Sequence, residues 1–543
     1  MDTPGQVAGE QLEEDFLASY ARERGDKPAL IADTPDGSIR IVTFRKLNEQ
    51  TNRLANGMVE SGVRPGNRVV WCGRSSIEVL VMQQAARKIG AVSVPLNHRL
   101  QREETTWILD NSAAVFVWTA AEFSQLFVDV RPETPQIRHV VVFGGKAGEG
   151  QESAEDFLAR QRDSEPVVEG AMESGATIIY TSGTTGRPKG AVRSLLTSPE
   201  QRQRIKEHLA MMHIGEGDDV YLPAGSMSHG GPLSFADLTV SQGNTVIVQE
   251  RFDPEDWLRL VDKYQVTNSY SAPAPMRLIC NLPAEVKAGY DRSSMRTMMA
   301  GAAPWPFSLK LAYLEDFPEE SLWEIYGSTE LGTNTILRPE DQRRKPGSCG
   351  QPAPGVEIFL VDEDGKEIST PNTRGLLYVR GGSTFSAYHG DPEKYEAEHR
   401  GDAHTVGDIA YFDEDGFFYI CDRKKDMIIS GGVNIYPAEI EAFLESLDTV
   451  LESAVIGLPD ETWGERVHAV VVPKNPDLFS EQDVIDQCRE HLGSYKVPRS
   501  LERVDELPHM VSGKIDKRLL RRQHPSLHPG AEVDERQAVD VRD

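Results

Sequence analysis

"RVVWCGRSSIEVLVMQQAARKIGAVSVPL", Arg68 to Leu96, sets the architecture. The β-branched run "RVVWC" predicts a buried strand. "SSIEVLVMQQAARKIG" has apolar residues at helical spacing, a serine pair at its start and Gly90 as a stop, so it predicts a helix. "AVSVPL" predicts a second strand, which completes a βαβ unit. Similar short runs recur at "VFVW", "HVVVF", "TIIY", "NTVIVQ" and "VTNSYSA", with "PEDWLRLVDKY" as an intervening helix. This alternation predicts α/β layers with largely parallel sheets.

Farther along, the texture changes. Beyond about residue 350, "VEIFLVDEDGKEI" and "DIAYFDEDGFFYICD" place Asp-Gly turns between alternating apolar runs and predict antiparallel hairpins. From about Asp426, "YPAEIEAFLESL" predicts a helix with proline in its first turn. "AVIGLP" and "RVHAVVVP" follow as strands, and "SEQDVIDQCREHLG" as a helix. The polar stretch from Gln523 onward predicts a disordered tail. These patterns predict an α/β chain with a small β-rich subdomain after about residue 350 and a separate compact α+β unit from near Asp426.

The chain has 543 residues, more than one hydrophobic core usually serves. Its formal charge is −27, which disfavours broad contact with a nucleic-acid backbone or an anionic bilayer but leaves room for a local basic pocket. The five cysteines are dispersed and form no CxxC pair, so neither a disulfide framework nor a zinc cluster is predicted from them. No apolar run approaches the ~20 residues of a membrane helix. The opening "MDTPGQVAGEQLEEDF" is acidic and lacks the cationic and apolar regions of a signal peptide. The expectation is a cytoplasmic protein without membrane insertion.

"YTSGTTGRPKGAV", Tyr180 to Val192, directly follows the "ATIIY" strand. Glycines after a strand leave backbone N–H groups pointing one way, and hydroxyls and a lysine add donors and charge, so such a loop cradles phosphate. It is not a P-loop. Lys189 lies three residues after Gly186, follows Pro188 and precedes Gly190 rather than a hydroxyl residue. This spacing disfavours a P-loop phosphotransferase. In isolation the composition also suits an exposed linker.

"YTSGTTGRPKG" resembles the signature of the adenylate-forming superfamily, which holds acyl-CoA synthetases, peptide-synthetase adenylation domains and luciferases. Other segments resemble the family's further motifs in their order, over roughly residues 15 to 520. "YGSTE", Tyr326 to Glu330, resembles the segment in which an aromatic ring stacks on adenine, a threonine contacts the α-phosphate and a glutamate meets magnesium. "GAAP", Gly301 to Pro304, resembles the stretch lining adenine. "VGD", Val406 to Asp408, resembles TGD, whose aspartate accepts from the ribose hydroxyls. "DRKKDMIISGGVNIYPAEIE", Asp422 to Glu441, resembles the junction between the two domains, and "MVSGKIDK", Met510 to Lys517, the motif whose lysine enters the site.

The resemblance implies an α/β fold: a large N-terminal domain of two layered α/β sheets plus a small β-barrel-like subdomain, with a smaller mobile C-terminal α+β domain. The implied boundaries are 1–424, with the β-rich part at about 350–424, then 425–522 and a tail at 523–543. It also implies roles residue by residue. Lys514, Glu330 and Thr329 are the expected catalytic group, with Glu330 on magnesium. Thr181, Ser182, Gly183, Thr184, Thr185 and Lys189 would hold phosphates, and Gly301, Ala302, Ala303, Tyr326, Gly327 and Ser328 the adenine. Asp408 and Arg423 would reach the ribose, and Lys425 would be the hinge. In "LPAGSMSHGGPLSF", His229 is the candidate gate of the acyl pocket; relatives commonly carry an aromatic before it, where this chain has Met227 and Ser228. Gly431 and Gly432 in "SGGVNIYP" match a turn lining the coenzyme A tunnel, and equally suit a simple strand-to-helix turn. Taken singly, Tyr326 also reads as a core aromatic, Glu330 as a helix N-terminal charge, Asp408 as a turn residue, Arg423 and Lys425 as a solvated run, and Lys514 as a tail lysine.

The implied function is that of an acyl-CoA synthetase. It uses ATP, Mg2+ and coenzyme A to convert a carboxylic acid to an acyl-adenylate and then to a thioester. A rival within the superfamily hands the adenylate to a carrier protein, an amine or another acceptor. A further rival is a non-catalytic nucleotide-binding scaffold, which would have little use for Lys514. The partners expected are small molecules, not nucleic acid, and a homodimer is admitted as the assembly.

Overall fold

The computed structural model describes residues 15–524 apart from 171–175, 182–187, 195–198, 216, 382–384, 389–397, 461 and 511–513. The chain divides into two compact units. The first comprises 1–178, 217–221 and 234–251, and the second 179–216, 222–233 and 252–543.

In the first unit the deciding stretch folds as read. Strand Arg68–Cys72 leads to helix Ile77–Lys88, and strand Val92–Leu96 returns parallel to it. Ser76 caps the helix by accepting from the Val79 N–H at 3.3 Å, and Gly90 follows its end at φ +66°. Val69, Val70, Trp71 and Cys72 are fully buried, as in a parallel strand covered on both faces. Parallel strands Phe116–Ala120, His139–Phe143 and Glu152–Ser153 extend the sheet on one side, and Ala176 and Thr177 pair with Val92 and Ser93 on the other. Strands Val220–Tyr221, Thr245–Val248 and Pro28–Asp33 form a second parallel set, which ends at the antiparallel Ile39–Thr43.

The second unit holds parallel strands Asn268–Ser271, Thr297–Ala300 and Leu322–Ser328, continued antiparallel by Gly332–Leu337 and Gln351–Pro352. The two predicted hairpins are present: Glu357–Val361 with Glu367–Ile368, and Asp408–Phe412 with Phe418–Arg423. Their turn glycines, Gly365 and Gly416, sit at φ +79° and +77°, where an L side chain is disfavoured. Leu360, Leu377, Val379, Ala410 and Phe418 form the core beneath them.

Residues beyond about 426 form a separate sheet within this unit. Its strands run in the order Val433–Ile435, Ile428–Ser430, Gly464–Pro473 and Val450–Asp460, and Ser500–Arg503 pairs parallel with Gly464–Pro473. The Val450–Asp460 strand is longer than "AVIGLP" suggested, because its whole length pairs antiparallel with Gly464–Pro473. Helix Pro437–Ser446 starts on its proline, and Ile440 and Leu444 are buried with Val455, Val467, Val484 and Ile485. Lys517–Gln523 is helical and His524 caps it. The rest of the predicted tail lies outside the described residues.

Candidate active site

The Leu322–Ser328 strand delivers Tyr326, and a register shift against Gly332–Leu337 falls between Tyr326 and Gly327. Such an irregularity re-aims a side chain at the end of a strand. Glycine is required at 327, where a Cβ would stand 2.0 Å from the Gly332 carbonyl oxygen. The Leu331 N–H donates to Ser328 Oγ at 3.0 Å, which shapes the turn carrying Thr329 and Glu330.

Tyr326 Oη donates to Asp408 Oδ2 at 2.6 Å. Asp408 opens its hairpin strand opposite Arg423, whose Nε lies 3.3 Å from Asp408 Oδ1. Asp408 is 6% exposed, with one carboxylate oxygen on Tyr326 and the other facing the more exposed Arg423 guanidinium. Burial pushes the Tyr326 phenol well above its ordinary pKa, and the Asp408 charge adds to this. Burial opposes the Arg423 charge, yet Asp408 and Glu330 outweigh it and hold the guanidinium pKa above its usual value.

Lys514 stands within the field of the same groups. Burial lowers its pKa to about 8, Arg423 and Lys425 push in the same direction, and Asp408 and Glu330 oppose them. Lys425 occupies the exposed turn between Phe418–Arg423 and Ile428–Ser430, where partial desolvation and the Arg423 charge lower its pKa too. The adjacent Lys424 N–H donates to the Gly407 carbonyl at 2.8 Å, next to Asp408. Glu330 is felt by Lys514, Arg423 and also Arg193. Arg193 lies on strand Lys189–Ser194, where alternation places it on the same face as Lys189. Burial lowers the pKa of Arg193 while Glu330 works against that shift. The sequence reading did not single out Arg193; the alternation of Lys189, Ala191 and Arg193 was the available signal.

Tyr270, which the sequence did not single out, packs between the Gly301 and Gly231 segments. A Cβ on Gly301 would lie 3.0 Å from Tyr270 Oη, and one on Gly231 would lie 2.5 Å from its Cζ. The backbone therefore packs directly on this ring, and the Gly301 N–H donates to the Ser271 carbonyl at 3.1 Å. Ala302 sits at φ +64°, an uncommon conformation for a residue with a side chain, held by its surroundings. The Ala303 N–H donates to the Gly301 carbonyl at 2.8 Å. His229 is half-buried and precedes helix Gly230–Ser241. The Cβ position of Gly230 is 3.9 Å from Thr329 Oγ1, which sets the His229 segment beside Thr329.

Thr181 closes strand Ala176–Thr181, and Ser182, Gly183, Thr184 and Thr185 lie outside the described residues. Gly431 and Gly432 form the two-residue turn between Ile428–Ser430 and Val433–Ile435, at φ +57° and +79°. That is the glycine requirement of a tight hairpin. A Cβ on Gly431 would meet Trp463 at 2.8 Å, and its N–H donates to the Trp463 carbonyl at 2.8 Å. No cation-binding geometry is defined at Glu330, but one carboxylate accompanied by substrate phosphates is a donor set that suits Mg2+.

An acidic turn, a carboxylate gripped by a tyrosine and an arginine, and a half-buried lysine thus stand together, as the adenylate-forming resemblance leads one to expect. The chain belongs to the AMP-binding enzyme family: the family's main model matches residues 17–389, and the model for the AMP-binding enzyme C-terminal domain matches 439–514. A feruloyl-CoA synthase from Amycolatopsis sp. is 34% identical over 487 residues, which cover 89% of this chain and 94% of that protein. Among solved structures, the anthranilate CoA ligase AuaEII in complex with anthranoyl-AMP superposes with a TM-score of 0.81 at 28% identity, covering 94% of this chain and 96% of that one. The amide bond synthetase McbA from Marinactinospora thermotolerans gives a TM-score of 0.79 at 26% identity, with 93% and 99% covered. Among the described residues, no helix is long and apolar enough to cross a membrane.

Proposed function

We propose that this protein is an AMP-forming acid–thiol ligase, which adenylates a carboxylic acid with ATP and passes the acyl group to coenzyme A. The observation that carries the reading is the convergence of Tyr326, Asp408 and Arg423 in direct contact, with Lys514 and Glu330 in their electrostatic field.

A carboxylate oxygen is a poor leaving group, and attack on the α-phosphorus of ATP makes it part of AMP. The obstacle is electrostatic: two anions must meet, and negative charge gathers at phosphorus. Lys514 supplies a partly desolvated ammonium for the carboxylate and α-phosphate, and Thr329 a hydroxyl for the α-phosphate. Lys189 and the Thr181–Thr185 segment take the outer phosphates. Tyr326 and the Gly301–Ala303 backbone frame adenine, and Asp408 and Arg423 the ribose. Glu330 would hold Mg2+, which when bound offsets charge on the departing pyrophosphate. His229 borders the acyl pocket.

In this reading 1–424 and 425–522 act as two bodies joined at Lys425, which rotate between half-reactions so that the Gly431–Gly432 turn meets the thiol. A cytoplasmic location and a homodimeric assembly accompany the proposal. A second acceptor class is favoured by one observation, the 0.79 TM-score to an amide bond synthetase. The test is pyrophosphate release across aromatic and fatty acids, with acyl-CoA formation followed in parallel. Release of ADP in place of AMP, or no acyl-CoA from any acid that is adenylated, overturns the assignment.

A further inference from the structure

Three titratable side chains that take no part in the site above meet on the C-terminal sheet. His468 stands on Gly464–Pro473 and Glu502 on Ser500–Arg503, two strands that pair in parallel with His468 opposite Ser500. Ser500 and Glu502 are two residues apart and share a face. His524 ends the Lys517–Gln523 helix, its N–H donating to the Leu520 carbonyl. One donor atom from each of His468, Glu502 and His524 lies within 4.8 Å of the other two. The imidazole rings of His468 and His524 meet edge to face with centroids 4.6 Å apart.

His468 is 2% exposed. Its Nδ1 lies 2.8 Å from Ser500 Oγ, while Nε2 is buried without a hydrogen-bond partner, 3.6 Å from Glu502 Oε2. An orphaned buried nitrogen costs free energy unless something completes it. When Nδ1–H donates to Ser500, Nε2 presents its lone pair toward the carboxylate and the second imidazole, the arrangement in which an outer hydrogen bond orients a histidine ligand. Arg466 is the opposing charge near His524.

We propose that His468, Glu502 and His524 bind a zinc-class divalent cation, fastening the end of the Lys517–Gln523 helix to the C-terminal sheet. Two imidazoles and one carboxylate suit Zn2+ far better than Mg2+ or Ca2+, which prefer all-oxygen shells. Ligand bonds of ~2.0–2.2 Å place tetrahedral donors roughly 3.4 Å apart, so a spread of up to 4.8 Å closes by at most about 1.4 Å. Glu502 and His524 are partly buried, whereas His468 is fully enclosed, so the adjustment falls on the first two. Water takes the fourth position. Lys514 lies on the segment entering this helix, so the cation steadies one end of the chain that presents the lysine.

The test is titration of the chelator-treated full-length protein with ZnCl2 by calorimetry, with thermal unfolding measured in and out of Zn2+. One equivalent should bind with micromolar or tighter affinity and raise Tm, and MgCl2 should do neither. H524A and E502Q should each weaken Zn2+ at least tenfold and abolish the Tm rise, while retaining the far-ultraviolet circular dichroism of the parent. Absence of a stoichiometric site overturns the proposal, and so does Zn2+ binding that both substitutions leave intact. A Tm loss in H524A that is the same with and without Zn2+ also overturns it and leaves a plain histidine–glutamate pair.

Discussion

Tyr326 Oη and Asp408 Oδ2 are joined by a 2.6 Å hydrogen bond across 82 residues of chain, so the aromatic side chain and the buried carboxylate are positioned as one piece. A hydrogen bond to a charged group contributes ~1.5–3 kcal/mol, and here it also fixes which way the carboxylate faces. Tyr326→Phe keeps the ring but releases Oδ2 to solvent or to the ribose. The KM for ATP should rise on the order of tenfold, about 1.4 kcal/mol, with kcat less affected. An ATP KM within twofold of the parent would show that the pair serves only the fold.

Lys514 gives the adenylation step a definite pH dependence. Its pKa is lowered to about 8, chiefly by burial and then by Arg423 and Lys425. The ammonium is the useful form, so kcat/KM for ATP should fall as pH rises through about 8. The bound triphosphate should move the corresponding limb of kcat to higher pH. Lys514→Arg should remove the alkaline limb, and Lys514→Ala should slow pyrophosphate release by roughly 10²–10³-fold while sparing thioester formation from supplied acyl-adenylate. An unchanged limb in the arginine variant assigns the titration elsewhere. The linked stability effect has the opposite sense: the folded-state pKa is depressed, so the fold gains stability as pH rises from about 8 toward the ordinary lysine range.

Sequence reasoning found elements wherever one periodicity ruled a segment. Arg68–Cys72 and Ile77–Lys88 are buried by their own apolar patterns, and the Asp-Gly hairpins are set by their turns. Lys189–Ser194 carries charges at Lys189 and Arg193 in place of the apolar residues that mark a buried strand, so its alternation is visible only once the strand is known. The candidate residues Tyr326, Asp408 and Lys514 were legible only as parts of ordered motifs, since a lone tyrosine or lysine carries no such information. Tyr270 was invisible for a different reason. Its part depends on Gly231 and Gly301 allowing backbone against its ring, a relation between distant segments that no local pattern encodes.

The strand that carries Tyr326 is anchored by a buried ion pair. Lys310 is 1% exposed, and its Nζ donates to Glu324 on Leu322–Ser328 and, at 3.5 Å, to the Ser348 carbonyl. Removing one partner strands a buried charge, so Lys310→Met should cost about 3–5 kcal/mol of stability in denaturant unfolding. Adding Glu324→Leu should recover most of that loss, because the residual charge is what destabilises. A double variant as unstable as the single one would refute this division.

Gly431 and Gly432 separate conformational cost from steric cost. Both sit at positive φ, but nothing lies within 4 Å of a Cβ at 432, whereas one at 431 would strike Trp463. Gly432→Ala should cost ~1–2 kcal/mol and Gly431→Ala more, as read by Tm. If the turn also faces the thiol, Gly432→Ala should slow acyl-CoA formation while leaving pyrophosphate release near the parent rate. Parallel losses in both steps would leave the turn as a hairpin alone.

Lys425 lies between two anchored neighbours: the Lys424 N–H is bonded to the Gly407 carbonyl, and the Asp426 N–H to the Arg423 carbonyl at 2.9 Å. Any swing of the following sheet must therefore pass through the few dihedrals of this turn. Proline at 425 fixes φ near −65° and restricts those dihedrals, and it also removes a charge beside Arg423 and Lys514. Lys425→Pro should slow the coenzyme A step at least tenfold, about 1.4 kcal/mol of barrier, more than it slows adenylation. Single-turnover measurement of each half-reaction separates the two. Equal slowing of both steps would mean that Lys425 acts through its charge beside Arg423, and Lys425→Met would then reproduce the defect.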